Sequence, residues 1–579
     1  MHGFLLTYAT PDKRPSIEQT ANDNNLLTRY HEAGKLSVRQ TTLRKFLADK
    51  VWHDDAQCFA AIEGVILNKH ELLRDGESLA QWMTRAYKQK GETFFCALRG
   101  SFCGVFYDKN NDTLLIFNDH VGSKMLFWRH STDGLCAGSS LNDVASLCRC
   151  GSLDELGMYD LLTYGFSPTH HTIYNGIHRL AAGKYLRVSG NECQELVYHR
   201  FSNTHRNASE QDHINELDRL FRQAVKRILD KNSEESLRNF FPLSGGLDSR
   251  MVNVVARQLT NAPICNFTYS QTGYYEAEYP QQISAWLGNG WHFRALDGGD
   301  YLKRLDDTVA MTDKQINYAG AAQMLDTMLD TDFSPVGVVA TGIGGDDIMN
   351  SPIDKPRSNY RFYECALGSG RYLRHLSLVP QGFNAWYANR NIYYLYTRTF
   401  ECHALGSPLM LQNATESCSP FMDVDFLEYV LSIPEQMRQQ YRLYDKWVLT
   451  KYPETARWPH NWHTIGHRPL ECHIFHRHIP VRDLPKRVFW YICRHLHIHN
   501  FYTIKRGQSM NPIDTWLAEN KSLREFFDAY YAQHISLLNG HKDIKKAAAE
   551  IYGSGEWQNQ ALVLTLLSAV SSTGLIAAH

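Results

Sequence analysis

Phe240-Phe241-Pro242-Leu243-Ser244-Gly245-Gly246-Leu247-Asp248-Ser249 is a short apolar run that breaks into a glycine-rich turn, and Met251 to Leu259 behind it has helical periodicity. A turn of this kind, between a buried strand and a helix, presents backbone N–H groups and a helix N-terminus to an anion. Ser244, Gly245, Gly246, Leu247, Asp248 and Ser249 therefore form a candidate phosphate seat, and a nucleotide is the expected ligand. No Gly-x-x-x-x-Gly-Lys-Ser/Thr sequence occurs in the chain, so the usual loop for gripping β- and γ-phosphates is missing.

Working outward, strands and helices alternate. Ile264 to Tyr269 and Val336 to Thr341 are further short apolar runs, and Glu278 to Leu287 reads as a helix between them. That order predicts an α/β domain with a parallel sheet whose ligand lies at the strand C-terminal ends. Val338-Val339-Ala340-Thr341 leads into Gly342-Ile343-Gly344-Gly345-Asp346-Asp347, a second glycine-rich turn ending in two carboxylates. One such turn reads equally well as a glycine cap with solvated aspartates, but two after two buried strands favour a site. Carboxylates beside phosphate need a counter-charge, which Mg²⁺ supplies. Asp248 and Asp346 are the expected metal-facing pair, with Asp347 behind them, and Gly342 and Gly344 complete the expected nucleotide contacts.

The first two hundred residues have a different pattern. Phe102 to Asp108 and Leu114 to Phe117 flank Lys109-Asn110-Asn111-Asp112 as a hairpin, and a second strand pair brackets Ser189-Gly190-Asn191. The polar stretch Ser202 to Glu210 is the expected linker, and helical spacing of Leu217, Leu220, Phe221, Val225 and Ile228 follows it. Two domains are expected, 1–205 and 206–579, because 579 residues exceed one hydrophobic core.

With 60 basic and 61 acidic side chains, the net charge of −1 gives no footprint for nucleic acid or an anionic membrane. The start of the chain lacks a secretory pattern, and thirteen scattered cysteines fit reduced thiols, so a cytoplasmic location is expected. The apolar tract Ala561 to Ala578 is too often interrupted by Ser and Thr for a membrane span, and predicts a packed helix. Histidines crowd positions 460–499, with His463 and His467 at i, i+4 spacing. No Glu follows His463 in the metalloprotease manner, and prolines at 459, 469 and 480 break the segment, which favours a surface or substrate-channel set over zinc.

The first turn resembles the PP-loop of ATP pyrophosphatases, which cleave ATP between the α- and β-phosphates. The whole chain is similar to asparagine synthetases. In its N-terminal part, Arg99 to Asp108, Asn118 to Gly122, Tyr174 to Leu180 and Ala182 to Leu186 resemble the family's class II glutamine amidotransferase domain. Further counterparts are Glu416 to Asp423, Lys446 to Leu449, and Lys505-Arg506-Gly507 followed by Pro512 and Trp516-Leu517. The resemblance implies an Ntn-type antiparallel β sandwich with helices at the N-terminus, giving an α+β domain, and a PP-loop, adenine nucleotide α-hydrolase-like domain after it. It also implies ATP and Mg²⁺ as cofactors, and a catalytic role for Lys505 beside Asp248 and Asp346.

The departures from the family are as informative. A working glutaminase domain uses an N-terminal cysteine, whose place is taken here by His2. Glu63-Gly64 stands where the family has an oxyanion-binding Asn-Gly, and a carboxylate there repels a developing oxyanion. Glutamine hydrolysis is therefore expected to be absent. Similar losses occur in β-lactam synthetases and in the cyclases that close lasso peptide macrolactams, and Gly344-Gly345-Asp346 is more like the cyclases, by analogy alone. The resulting expectation is an AMP-forming carbon–nitrogen ligase acting on a carboxylate- and amine-bearing substrate, in its sharpest form a peptide precursor with a processing protease as partner. A uronic-acid glycan or small metabolite joined to a separate amine is the competing substrate class, and a silent ATP-binding scaffold the competing role. No base for the amine stands out among Glu276, Glu278, Glu364 and Glu416.

Overall fold

The computed structural model describes residues 2–17, 25–350, 377–379, 387, 389–403, 406–459, 465, 471–474, 477–480, 485, 488 and 509–574. Two six-stranded antiparallel sheets occupy the N-terminal part. The first is centred on β1 (Gly3–Tyr8), which pairs with Leu36–Leu43 on one side and Gly134–Gly138 on the other. The second is built around β2 (Cys58–Ile66), β3 (Gly100–Asp108) and β4 (Thr113–Asn118). The hairpin expected at Lys109–Asp112 joins β3 to β4, and the one at Ser189–Asn191 joins Lys184–Ser189 to Glu192–Val197.

The period-2 alternation of side chains sorts these strands into layers. Phe59 and Ala61 of β2 meet Phe4 and Leu6 of β1 in the core between the sheets. Ala60 and Ile62 point the other way, under helix α1 (Leu79–Lys90), whose Leu79, Trp82, Met83 and Ala86 are buried there. Leu5, on the outer face of the first sheet, belongs to a third core that continues through the C-terminal half of the chain. The two halves thus share apolar contact across a sheet face.

After a segment without regular structure, Ser209 caps α2 (Glu210–Glu234) by accepting from the Asp212 N–H. The parallel sheet follows: β5 (Asn239–Pro242), then α3 (Leu247–Leu259), then β6 (Ile264–Ser270), with β7 (Gly290–Ala295) as the edge strand. The sequence pattern did not disclose β7, because no residue in it is fully buried and no apolar run marks it. The strand expected over Val336 to Thr341 contracts to β8 (Val339–Ala340), which pairs in parallel with β9 (Ser417–Cys418); Val336 makes only a single bridge to Arg238. The C-terminal apolar tract forms a packed helix, Trp557–Ser571, buried continuously from Gln560 to Val570. Among the described residues, no helix is long and apolar enough to cross a membrane.

Candidate active site at the two glycine turns

Parallel strands β5 and β8 end side by side, and the glycine turns that follow them touch. A Cβ on Gly342 would lie 2.5 Å from the Ser249 nitrogen, and one on Gly345 would lie 2.3 Å from the Asp248 carboxyl carbon. Gly344 adopts φ +86°, a left-handed conformation that favours glycine, and packs on Met422. The second turn is held from below by Ser419, whose Oγ donates to the Ile343 carbonyl at 2.6 Å.

The first turn is tied by its own hydroxyls. Ser249 Oγ accepts from the Ser244 N–H at 3.0 Å, and Ser244 Oγ accepts from the Gly246 N–H at 3.2 Å. Gly246 is the N-cap of α3, and no side chain caps that helix, so its N-terminus suits an external anion. Leu247 fixes the helix by burying its side chain. Fully buried Arg250 donates to the carbonyls of Gly245, Thr455, Trp458 and Pro459, which locks the turn to the segment following residue 451.

Asp248 and Asp346 are brought together. Asp248 Oδ2 accepts from the Asp346 N–H at 3.0 Å, and Asp248 Oδ1 accepts from the Tyr444 hydroxyl at 2.8 Å. Burial, and after it the charge of Asp346, push the Asp248 carboxyl well above the usual carboxylate range. Asp347 stands behind the pair, accepting from Thr399 Oγ1 at 3.1 Å. Two adjacent carboxylates of hard oxygen, one destabilised as an anion by the other, fit a small divalent cation such as Mg²⁺. Asp248 therefore has a duty that the sequence did not disclose: it is also the hinge between the two turns. Tyr444 and Arg250 were missed as well, since neither lies at a motif position. Arg250 directly follows the loop, and an arginine pointing inward from a helix's first turn leaves no periodic signal.

Lys505 and the histidines of 460–499 lie outside the described residues, apart from the backbone of His473 and His478 in a short hairpin, Glu471–Ile474 with Arg477–Pro480. Among the candidate bases, Glu364 and the side chain of Glu276 are likewise outside, and Glu278 is exposed. Glu416 is buried against the N-terminal half, with Lys124 Nζ at 2.7 Å and Lys50 Nζ at 3.9 Å, which makes it a structural anion.

A pocket where the two halves meet is lined by His2, Glu63, Cys103, Lys124 and Ser139 from the N-terminal half and by Gln412 from the C-terminal half, among others. His2 directly precedes β1. Its Nε2–H donates to the Asn413 carbonyl at 3.0 Å, and burial lowers its pKa to about 4, so the ring is neutral. Glu63 is 1% exposed and fully engaged: Thr42 Oγ1 donates to it at 2.9 Å, Gln40 Nε2 at 3.1 Å, and Lys50 Nζ lies 3.4 Å away. The described residues here make a lattice of buried ion pairs.

Comparison with known proteins agrees with both halves. A glutamine amidotransferase domain model matches residues 37–199, and an asparagine synthase domain model matches residues 216–398. The amidase chyE of Penicillium rubens is 22% identical, over 77% of this chain and 80% of that protein. The amidase chry2 of Gibberella zeae is 20% identical, over 64% of this chain and 68% of that protein. Among solved structures, glutamine phosphoribosylpyrophosphate amidotransferase from B. subtilis aligns over 51% of this chain and 85% of its own, at 9% identity and a TM-score of 0.23. The NH3-dependent NAD synthetase from Campylobacter jejuni aligns over 33% and 80%, at 14% identity and a TM-score of 0.18; scores this low add nothing about the site. An amidotransferase-type sandwich followed by an asparagine synthase domain, joined through the contacts described above, places the chain in the asparagine synthetase-like family.

Proposed function

We propose that this protein is a glutamine-independent, AMP-forming amide ligase. The observation that carries the proposal is the pocket where the two halves meet. His2 occupies the nucleophile's place as a neutral, hydrogen-bonded imidazole, and Glu63 puts a paired carboxylate where an oxyanion would have to be held. Asparagine synthetase-like membership supports ATP-dependent amide-bond formation, and the two relatives named amidases agree with a reaction at an amide.

In the proposed reaction a substrate carboxylate oxygen attacks the α-phosphorus of ATP, the bond to the β-phosphate oxygen breaks, and pyrophosphate leaves. The amine then attacks the acyl carbon of the acyl-adenylate, expelling AMP and losing a proton. The Ser244–Ser249 turn and the N-terminus of α3 bind phosphate oxygens; Asp248 and Asp346 hold the cation, and Tyr444 orients Asp248. Mg²⁺, when bound, supplies counter-charge for the departing pyrophosphate. Lys505 stabilises the same charge. Positioning both partners contributes much of the rate, with effective molarities of about 10⁵ M or more for well-oriented groups. An amine on the substrate itself uses this most fully, so intramolecular macrolactam closure of a peptide is the version we favour over joining a glycan or metabolite to a separate amine.

Pyrophosphate release from ATP with candidate carboxylates, in wild type and Asp248→Ala, tests the ligase reading. Substrate-dependent release lost in the variant is expected, and its absence with peptides, uronic acids and small acids alike would leave only a nucleotide-binding scaffold. Lys505→Ala should abolish adenylation. A product lighter than its substrate by one water establishes ring closure, and glutamate formation from glutamine overturns the loss of glutaminase.

A further inference from the structure

Away from both pockets, three segments of the N-terminal half converge on one point. Cys96 comes from the 3₁₀ turn Gly91–Ala97, His120 from the turn after β4, and His199 from the chain just beyond Glu192–Val197. One ligand atom from each lies within 4.8 Å of the other two. Cys96 Sγ is 3.8 Å from His120 Nε2, and the two imidazole rings are 4.8 Å apart between centroids. The C-terminal half approaches the remaining side with an exposed carboxylate. Glu428, on α4 (Val424–Ser432), places Oε1 3.5 Å from His199 Nε2. That nitrogen is buried and has no hydrogen-bond partner among the described residues.

We propose that Cys96, His120, His199 and Glu428 form a structural zinc site that fastens the amidotransferase-type domain to the synthetase domain. Tetrahedral zinc holds sulfur at about 2.3 Å and nitrogen at about 2.0–2.1 Å, so its sulfur and nitrogen ligands sit about 3.6 Å apart, close to the Cys96–His120 separation. Binding requires Cys96 to release its thiol proton to solvent, since the thiolate is the ligand. Thiolate and Glu428 carboxylate together neutralise a divalent ion. The neighbouring Arg99 guanidinium is already engaged, donating to Asp425 Oδ1 at 3.0 Å and to the Cys96 carbonyl at 2.9 Å.

The test uses the full-length protein and Co²⁺ as a spectroscopic stand-in. Wild type should bind Co²⁺ with a thiolate-to-metal charge-transfer band and the visible bands of a tetrahedral site, both displaced by Zn²⁺. Cys96→Ser should lose the charge-transfer band, and His199→Gln should bind at least tenfold more weakly, with far-UV circular dichroism unchanged. Independently of any variant, Zn²⁺ should protect Cys96 of wild type from alkylation, read by peptide mass mapping. Absence of the charge-transfer band in wild type, its persistence in Cys96→Ser, or unprotected Cys96 at saturating Zn²⁺ overturns the site.

Discussion

His2 offers a quantitative test of what has become of the amidotransferase pocket. Its pKa falls from 6.5 to about 4, with burial as the largest cause, outweighing the hydrogen bond to Asn413 and the attraction of Glu63. Because the folded value is the depressed one, the unfolded chain binds more protons between pH 6.5 and pH 4. Stability from neutral His2 is therefore intact above pH 6.5 and is lost as pH falls toward 4. Integrating the two titration curves gives a loss of about 2 kcal/mol between pH 7 and pH 5. His2→Gln keeps an N–H for the Asn413 carbonyl and removes the titration. Urea denaturation followed by tryptophan fluorescence at both pH values should show wild type losing about 2 kcal/mol more than the variant. Other buried imidazoles, His120, His170 and His199, titrate in both proteins and cancel in the difference. Equal acid sensitivity of the two proteins would refute a buried, neutral His2.

Tyr444→Phe removes one hydrogen bond to the Asp248 carboxylate while keeping the ring stacked on Trp447. A bond to a charged group is worth about 1.5–3 kcal/mol, so pyrophosphate release should fall roughly 10- to 100-fold in a folded protein. Gly345→Ala puts a Cβ into the Asp248 carboxyl group and should abolish saturable Mg²⁺·ATP binding by titration calorimetry, while global stability changes little. Glu416→Gln strands Lys124 beside a neutral partner and should cost about 3–5 kcal/mol in denaturant midpoints. Much of that loss should return in Lys124→Met/Glu416→Leu, because replacing both members of a buried pair with apolar groups is often tolerated.

Where function rests on backbone, the sequence was readable. Glycine spacing after apolar runs announced both turns, because only a residue without Cβ allows the approaches seen at Gly342 and Gly345. Alternation and turn residues marked the hairpins at Lys109–Asp112 and Ser189–Asn191 for the same reason: the local conformation is written in local residues. What stayed hidden depends on contacts distant in sequence. Tyr444 reaches Asp248 across 196 positions, and Arg250 reaches Thr455 across 205. The edge strand β7 is only half-buried, so its apolar pattern never forms. Glu416 shows the limit of motif matching most clearly. It stands in a stretch that resembles asparagine synthetases in sequence, yet its carboxylate is paired with Lys124 of the N-terminal half.

On the proposed function, that pairing gives a reason for an amidotransferase-type domain to outlast its reaction. Lys45, in the N-terminal half, donates to the carbonyls of Phe333, Val336 and Ala414 at 2.6, 3.0 and 3.2 Å, on the segments that lead into β8 and β9. Lys124 holds Glu416 immediately before β9, and the outer face of the first sheet contributes Leu5 to the core beneath. β8 and β9 pair through only two residues each, and the ladder between them ends at the turn carrying Asp346. Such a short ladder cannot supply its own rigidity; a two-stranded pairing is marginal without packing from outside. The cations that fix it come from the amidotransferase half. On the proposed function, loss of glutamine chemistry would remove the need for a nucleophile at position 2, but it would leave untouched the need to hold the second carboxylate turn against the first.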